Sequence, residues 1–158
     1  LAFGTLSVKG RALRYLAQRE HSRAELERKL ARHVEDGPNT SAAEQIAKAL
    51  DELSAHGLIS EARVAESVLT SQASRFGARR LRQTLQAKGL APALVAATVQ
   101  QARGTELERA RELWRRRFGA PPADAAERAR QMRFLASRGF EGDVIRRVVR
   151  GLQDDPDL

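Results

Sequence analysis

Apolar residues along the chain recur three and four positions apart. Leu26 and Leu30, then Ile46, Leu50 and Leu53, then Leu81 and Leu85, Val95 and Val99, and Ile145 and Val149 all follow this spacing. It places them on one face of an α-helix, with the intervening polar residues turned outward. No stretch alternates with period two over a useful length, so no strands are expected. Helix starts are marked four times by an oxygen-bearing residue with Glu three places on: Ser22–Glu25, Ser41–Glu44, Thr105–Glu108 and Asp124–Glu127. Such a pair can satisfy two exposed backbone N–H groups reciprocally, as a capping box. Pro92 suits a first helical turn, where its missing N–H has no partner to lose. Gly57, Gly89 and Gly139, each followed by Leu or Phe, mark stops, because glycine enters the left-handed conformation cheaply. The pattern predicts nine helices, at roughly 8–19, 22–33, 42–56, 60–75, 78–88, 91–102, 105–118, 123–138 and 141–152. Two longer breaks separate them, VEDGPNTS (34–41) and GAPPA (119–123).

The nine helices read as three copies of one unit. TLQAKGLAPALVAATVQQA (84–102) aligns without a gap on FLASRGFEGDVIRRVVRGL (134–152). Leu85 falls on Leu135, Lys88 on Arg138, Gly89 on Gly139 and Leu90 on Phe140, and Val95, Val99 and Ala102 fall on Ile145, Val149 and Leu152. The first unit matches through Leu26 and Leu30, which correspond to Leu81 and Leu85, and it carries a six-residue insertion around Gly37–Pro38. The expected fold is therefore all-α: three tandem three-helix repeats in an elongated, curved modular array whose contacts are mostly between neighbours. The divisions would be an N-terminal extension (1–8), repeat 1 (9–57, with the insertion 34–41), a basic repeat 2 (58–103), repeat 3 (104–152) and an acidic tail (153–158). A long modular surface suits binding an extended object better than enclosing a small substrate.

Composition narrows the chemistry. With seven aromatic residues in 158, the core is expected to rest on Leu, Val and Ala. There is no cysteine, which excludes disulfides and thiolate metal sites. No apolar run approaches the roughly 20 residues that span a bilayer. The opening LAFGTLSVKGRAL does not read as a secretory leader, and a cytoplasmic location is expected. Its first residue is Leu1 rather than Met, which leaves room for residues upstream. An enzyme needs a constellation of reactive groups, and none emerges. His21, His33 and His56 lie near different helix ends without metal-ligand spacing, and as lone polar histidines all three are expected at the surface. No phosphate-binding glycine loop is present. The carboxylates are accounted for by caps and exposed faces. No cofactor and no metal are expected.

The net charge of +8 is uneven. Residues 1–66 balance ten basic against ten acidic side chains. Residues 67–105 carry Arg75, Arg79, Arg80, Arg82, Lys88 and Arg103 with no acidic residue at all. Such a segment attracts polyanions and steers association. On a helical wheel Arg79, Arg82, Gln83 and Gln86 lie opposite Leu81 and Leu85, with Arg80 toward the flank. Lys88 falls nearer the apolar side, where its stem is expected to cover Leu85 while its ammonium reaches water. Two further clusters are candidates. Arg115, Arg116 and Arg117 end a helix that also holds Arg109 and Arg111, where cations complement the negative helix end. Arg146, Arg147 and Arg150 lie on the last helix. Arg and Gln side chains on one stripe can contact phosphates and base edges, and they can equally pair with carboxylates of a protein. Geometry on the wheel leaves both targets open, with a plain solvated face beside them.

Three segments resemble the RecX family of bacterial regulatory proteins: REHSRAELERKL (19–30), LDELSAHGLISEARVAES (50–67) and FGARRLRQTLQAKGL (76–90). With the three-repeat layout, the likeness runs from about residue 9 to 152. The chain departs from the family's usual pattern at His33–Val34, where a glycine is common, and at Ser60, Glu61 and Val64. The resemblance implies a non-catalytic protein that binds the RecA recombinase and lodges along its nucleoprotein filament. It further implies restraint of filament growth, ATPase activity and strand exchange. On that reading the partners are RecA and its DNA filament, with weak direct DNA contact possible, no membrane, and a monomeric chain. The alternative is a helical protein that binds DNA directly without RecA, and a purely structural scaffold is a third reading.

Overall fold

A computed structural model describes residues 5–150, and among them there are nine α-helices and no strand. They are α1 (Val8–Gln18), α2 (Arg23–Ala31), α3 (Ala42–Ala55), α4 (Glu61–Gln72), α5 (Ala78–Ala87), α6 (Pro92–Arg103), α7 (Glu106–Arg117), α8 (Ala125–Ser137) and α9 (Gly142–Arg150). The expected tail 153–158, the first four residues of the expected extension and the end of the last expected helix (151–152) lie outside the described residues.

Local chemistry sets most of the boundaries. Ser22 and Ser41 each accept from the backbone N–H of the Glu three places on, and that Glu reaches back to the serine N–H, so both capping boxes are complete. Asp124 accepts from Glu127 N at 2.8 Å. Thr105 differs from the expectation, because its side chain makes no cap hydrogen bond. Its hydroxyl is turned toward the preceding turn, where it donates to the Ala102 carbonyl and accepts from Arg109 Nε at 3.1 Å. Pro92 opens α6 as expected. Gly57, Gly89 and Gly139 adopt φ of 72°, 70° and 83°, as their positions at helix ends require.

The chain packs as two units. One holds the described residues up to Ser67 together with Ala87–Ala91, and the other holds Val68–Gln86 together with the described residues from Pro92 to Arg150. In the first, α1, α2 and α3 pack on one another around Ala12, Leu26, Leu30, Ile46, Leu50 and Leu53. In the second, α7, α8 and α9 enclose Ala110, Trp114, Leu135, Phe140, Ile145, Val148 and Val149. Fully burying each large aliphatic side chain contributes roughly 1.5–3 kcal/mol, so these clusters carry the stability of their units. One buried polar residue departs from the leucine pattern. Gln131 stands where the other repeats have Leu26 and Leu81, and it is 1% exposed. Its amide is satisfied, accepting from Trp114 Nε1 at 2.8 Å and donating to the Ala120 carbonyl at 3.1 Å. No helix of the described residues is long and apolar enough to cross a membrane.

Candidate partner-binding surface

The same joint between a glycine turn and a helix start occurs in both units. In the first, the turn at Lys88–Gly89–Leu90 seats against the start of α2. The Ser22 hydroxyl, besides capping α2, donates to the Lys88 carbonyl, and Arg28 donates to the Ala87 carbonyl at 2.9 Å. A Cβ on Gly89 would lie 2.6 Å from that of Ala24, so the approach needs glycine. In the second, the turn at Arg138–Gly139–Phe140 seats against the start of α5. There Gly77 N donates to the Arg138 carbonyl at 2.8 Å and Arg79 N to the Gly139 carbonyl at 3.1 Å. Gly77 occupies the place of Ser22, and a Cβ on it would lie 2.5 Å from the Phe140 backbone. The incoming turn thus replaces the side-chain cap, supplying acceptors for N–H groups that a helix start leaves orphaned. Glu106, 2% exposed, completes the joint, with Oε1 accepting from Ala78 N at 3.1 Å and from Glu141 N at 3.3 Å.

The charges at the two joints are opposite in kind. In the first, Glu25 Oε1 receives Lys88 Nζ at 3.1 Å and Oε2 receives Arg19 Nη2 at 2.7 Å. Burial alone would raise the Glu25 carboxyl, but the hydrogen bonds from Arg19 and Lys88, with Lys88's charge and the Ser22 N–H, hold it down to about 2. Lys88 therefore does not extend its ammonium into water as the wheel suggested. Its side chain is only 18% exposed, and its charge is matched inside the unit. His21 also departs from expectation, being fully buried. Its Nδ1 lies 3.0 Å from the Arg19 carbonyl and its Nε2 2.8 Å from Lys29 Nζ. An ammonium can only donate, so Nε2 accepts and Nδ1 carries the proton. Burial lowers the His21 pKa, and burial does the same for Lys29. His33 and His56 are exposed.

In the second joint, Arg80 stands at the position of Glu25 and Arg138 at that of Lys88. Both guanidinium groups lie over the Phe76 ring, at 4.7 and 6.0 Å from its centroid, and Arg75 approaches the same ring at 5.4 Å. Arg138 also lies 5.2 Å from the Phe134 ring, which Arg117 approaches at 5.5 Å. Phe134 meets Phe118 edge to face at 5.4 Å, and Arg130 lies 5.6 Å from Phe118. Arginines and phenyl rings thus alternate across this unit. Among the described residues, Arg75, Arg79, Arg80, Arg82, Arg117 and Arg138 have no carboxylate within ion-pair distance.

The remaining candidates divide by environment. Arg79, Gln83 and Gln86 are exposed on α5 and Arg82 is half-buried. Arg115 and Arg116 are exposed but share Glu112, at 3.9 and 3.7 Å. Arg146, Arg147 and Arg150 are exposed on α9. Arg109 is no surface cation. Its Nη1 donates to the carbonyls of Ala73 and Phe76 and its Nη2 to that of Ala102, at 2.7 Å for the last two. Burial lowers its pKa, which the neighbouring Glu106 partly offsets. Sequence reasoning missed the Phe76–Arg138–Phe134 alternation, although Arg138 was visible as the counterpart of Lys88. Among the described residues there is no group of three or more His, Asp or Glu able to hold a metal ion.

A helical chain of three-helix repeats, with arginines that lack carboxylate partners gathered on one unit, defines an all-α repeat protein. Its three segments match the descriptions of the RecX first, second and third three-helix domains over residues 9–38, 60–99 and 105–149. The regulatory protein RecX of Leptothrix cholodnii is 57% identical over 145 residues, covering 92% of this chain and 88% of its own. That of Ralstonia nicotianae is 45% identical over 155 residues, covering 96% and 94%. The crystal structure of RecX from Lactobacillus salivarius superimposes with a TM-score of 0.73 at 19% identity, over 94% of this chain and 96% of that one. The chain belongs to the RecX family of regulatory proteins.

Proposed function

We propose that this chain is a cytoplasmic, monomeric regulator of RecA that binds the RecA–DNA filament and restrains its growth, ATPase activity and strand exchange. It acts by occupancy, without catalysis, cofactor or metal. Family membership supports RecA as the partner, and the observation that carries the mode of action is the uncompensated charge of the middle segment. Arg79 and Arg82 lie on α5 without carboxylate partners among the described residues, beside exposed Gln83 and Gln86. Cations held without internal neutralisation raise the local potential and steer a basic face onto an anionic polymer. Arg75, Arg80, Arg115, Arg116, Arg117, Arg146, Arg147 and Arg150 extend the charged surface available to the filament. Lys88 contributes through the joint it holds.

The test is RecA ATPase on single-stranded DNA, with and without the chain. Addition of the wild type is expected to suppress turnover. Arg79→Glu with Arg82→Glu is expected to relieve the suppression at least tenfold in the concentration required, with circular dichroism unchanged. Undiminished inhibition by a folded double variant removes this stripe from the mechanism, and absence of inhibition by the wild type removes RecA as the target.

A further inference from the structure

Lys29 stands in a setting that the chain's other lysines, Lys9, Lys48 and Lys88, do not share. Lys9 pairs with Glu52 at 3.5 Å and Lys88 with Glu25 at 3.1 Å, while Lys48 is exposed. Lys29 is half-buried on α2 and, among the described residues, has no carboxylate within ion-pair distance. Its Nζ lies 2.8 Å from His21 Nε2 and 4.9 Å from the centroid of the Tyr15 ring. His21 is fully buried, and its Nδ1–H is held by the Arg19 carbonyl at 3.0 Å. That bond fixes the ring and keeps Nε2, the basic nitrogen, turned to the lysine. A nucleophile against a base that a third group orients is the arrangement that activates side chains for acyl transfer. Burial and then the charge of Arg19 lower the Lys29 pKa; Lys88 and Arg32 add to this, and Glu25 opposes it. More of the side chain is therefore the free amine near neutral pH than in an ordinary lysine.

We infer that Lys29 is a modification site, acylated at Nζ by an acyl phosphate with His21 as the base. The donor is anionic, and exposed Arg19 and Arg32 lie close enough to Lys29 to act on its charge, so they also draw such a donor to it. The free amine attacks the carbonyl carbon of the donor. A C–N bond forms, the C–O bond to the phosphate oxygen breaks, and phosphate leaves with that electron pair. The proton given up by nitrogen passes to His21 Nε2 and from there to water. The amide is stable, so the reaction occurs once per chain and is not turnover. It removes the positive charge of Lys29 and leaves one N–H that can still donate to Nε2.

The experiment incubates the full chain with acetyl phosphate and follows acetylation at each lysine by peptide mass spectrometry, between about pH 6 and pH 9. At pH 7 Lys29 is expected to react roughly tenfold or more faster than Lys48, and its rate to level off at lower pH. His21→Gln keeps an acceptor for the lysine N–H but cannot take up a proton. It is expected to cut the rate at Lys29 roughly tenfold or more and to leave Lys48 unchanged. Equal wild-type rates at Lys29 and Lys48 would overturn the assignment, as would a wild-type rate at Lys29 in folded His21→Gln. If circular dichroism shows that variant unfolded, the wild-type pH profile decides, and a Lys29 curve that superposes on that of Lys48 overturns the site. RecA takes no part in the measurement, so the outcome is independent of the regulatory reading.

Discussion

Lys88 Nζ lies 3.1 Å from Glu25 Oε1 although 63 positions of sequence separate the two residues. The pair, with Arg19 on the second carboxylate oxygen, is buried beneath the turn that joins α5 to α6. A carboxylate so placed is worth more ionised than protonated. Its folded pKa, about 2, lies below the ordinary 4.5. A depressed acid contributes stability that is complete above the unfolded pKa and is lost as pH falls through the folded one. Wild type is therefore expected to lose on the order of 2–3 kcal/mol between about pH 5 and pH 2 from this group. Glu25→Gln should be less stable at pH 7 by a similar amount and show a flatter acid limb, as read by urea denaturation at several pH values. Parallel acid limbs for the two proteins would show that the ion pair is not the source.

His21 adds a second acid-sensitive step at higher pH. It is buried as the neutral ring, between the Arg19 carbonyl and the Lys29 ammonium. Its pKa is lowered from 6.5, chiefly by burial. The unfolded chain therefore takes up the proton first as pH falls below about 6.5, and stability declines from there toward the folded pKa. Nitrogen-15 NMR is expected to show the Nδ1–H tautomer at pH 7 and a midpoint below the ordinary 6.5. A normal midpoint, or the Nε2–H tautomer, would contradict the Lys29 hydrogen bond.

Much of the fold was legible in the sequence because it is encoded within one turn of chain. Ser22, Ser41 and Asp124 cap their helices as their spacing to Glu predicts, and Gly57, Gly89 and Gly139 end theirs. The repeat alignment placed Gly89 and Gly139 on each other, and each closes on the first turn of a helix, Gly89 at Ala24 and Gly139 one position further on, at Arg80. What escaped was set by neighbours far along the chain. Nothing near Lys88 contains an acidic residue, so its partner could be found only once α2 lay beneath it. His21 reads as a surface residue until that same start of α2 is covered. Thr105 has the spacing of a cap, but Arg109, itself bonded to carbonyls of the 73–76 segment, draws its hydroxyl away. The Arg–Phe alternation combines residues from the turn before α5, the end of α7 and the end of α8, which no local pattern could bring together.

Three glycines with the same left-handed backbone are expected to respond unequally to alanine. Gly57 has no atom within 4 Å of a built Cβ, so Gly57→Ala should cost only the backbone strain, roughly 1–2 kcal/mol. At Gly89 the added methyl meets Ala24, and at Gly139 it meets the Arg80 side chain and, at 2.7 Å, its backbone nitrogen. Both of these substitutions should exceed Gly57→Ala by a further ~1–3 kcal/mol of overpacking, with Gly139→Ala the larger because backbone yields less than a methyl. Equal losses at all three positions, measured by denaturant midpoints, would mean that the turns do not seat on the helix starts.

Arg109 and Thr105 offer a paired test, because the sequence and the structure assign Thr105 different roles. If Thr105 capped α7, Thr105→Ala would cost about 1 kcal/mol. With no backbone N–H bound to its hydroxyl, which takes only the Arg109 Nε–H, the expected loss is under about 0.5 kcal/mol. Arg109 carries the joint instead, its guanidinium bridging the carbonyls of Ala73, Phe76 and Ala102 near the ends of α4 and α6. Lysine keeps the charge but lacks the fork, so Arg109→Lys is expected to cost about 2–3 kcal/mol. Amide exchange should accelerate at residues 73–77 in that variant, while the core of α1–α3 stays protected. A Thr105→Ala loss as large as that of Arg109→Lys, without local exchange at 73–77, would restore Thr105 as the cap and remove the bridge.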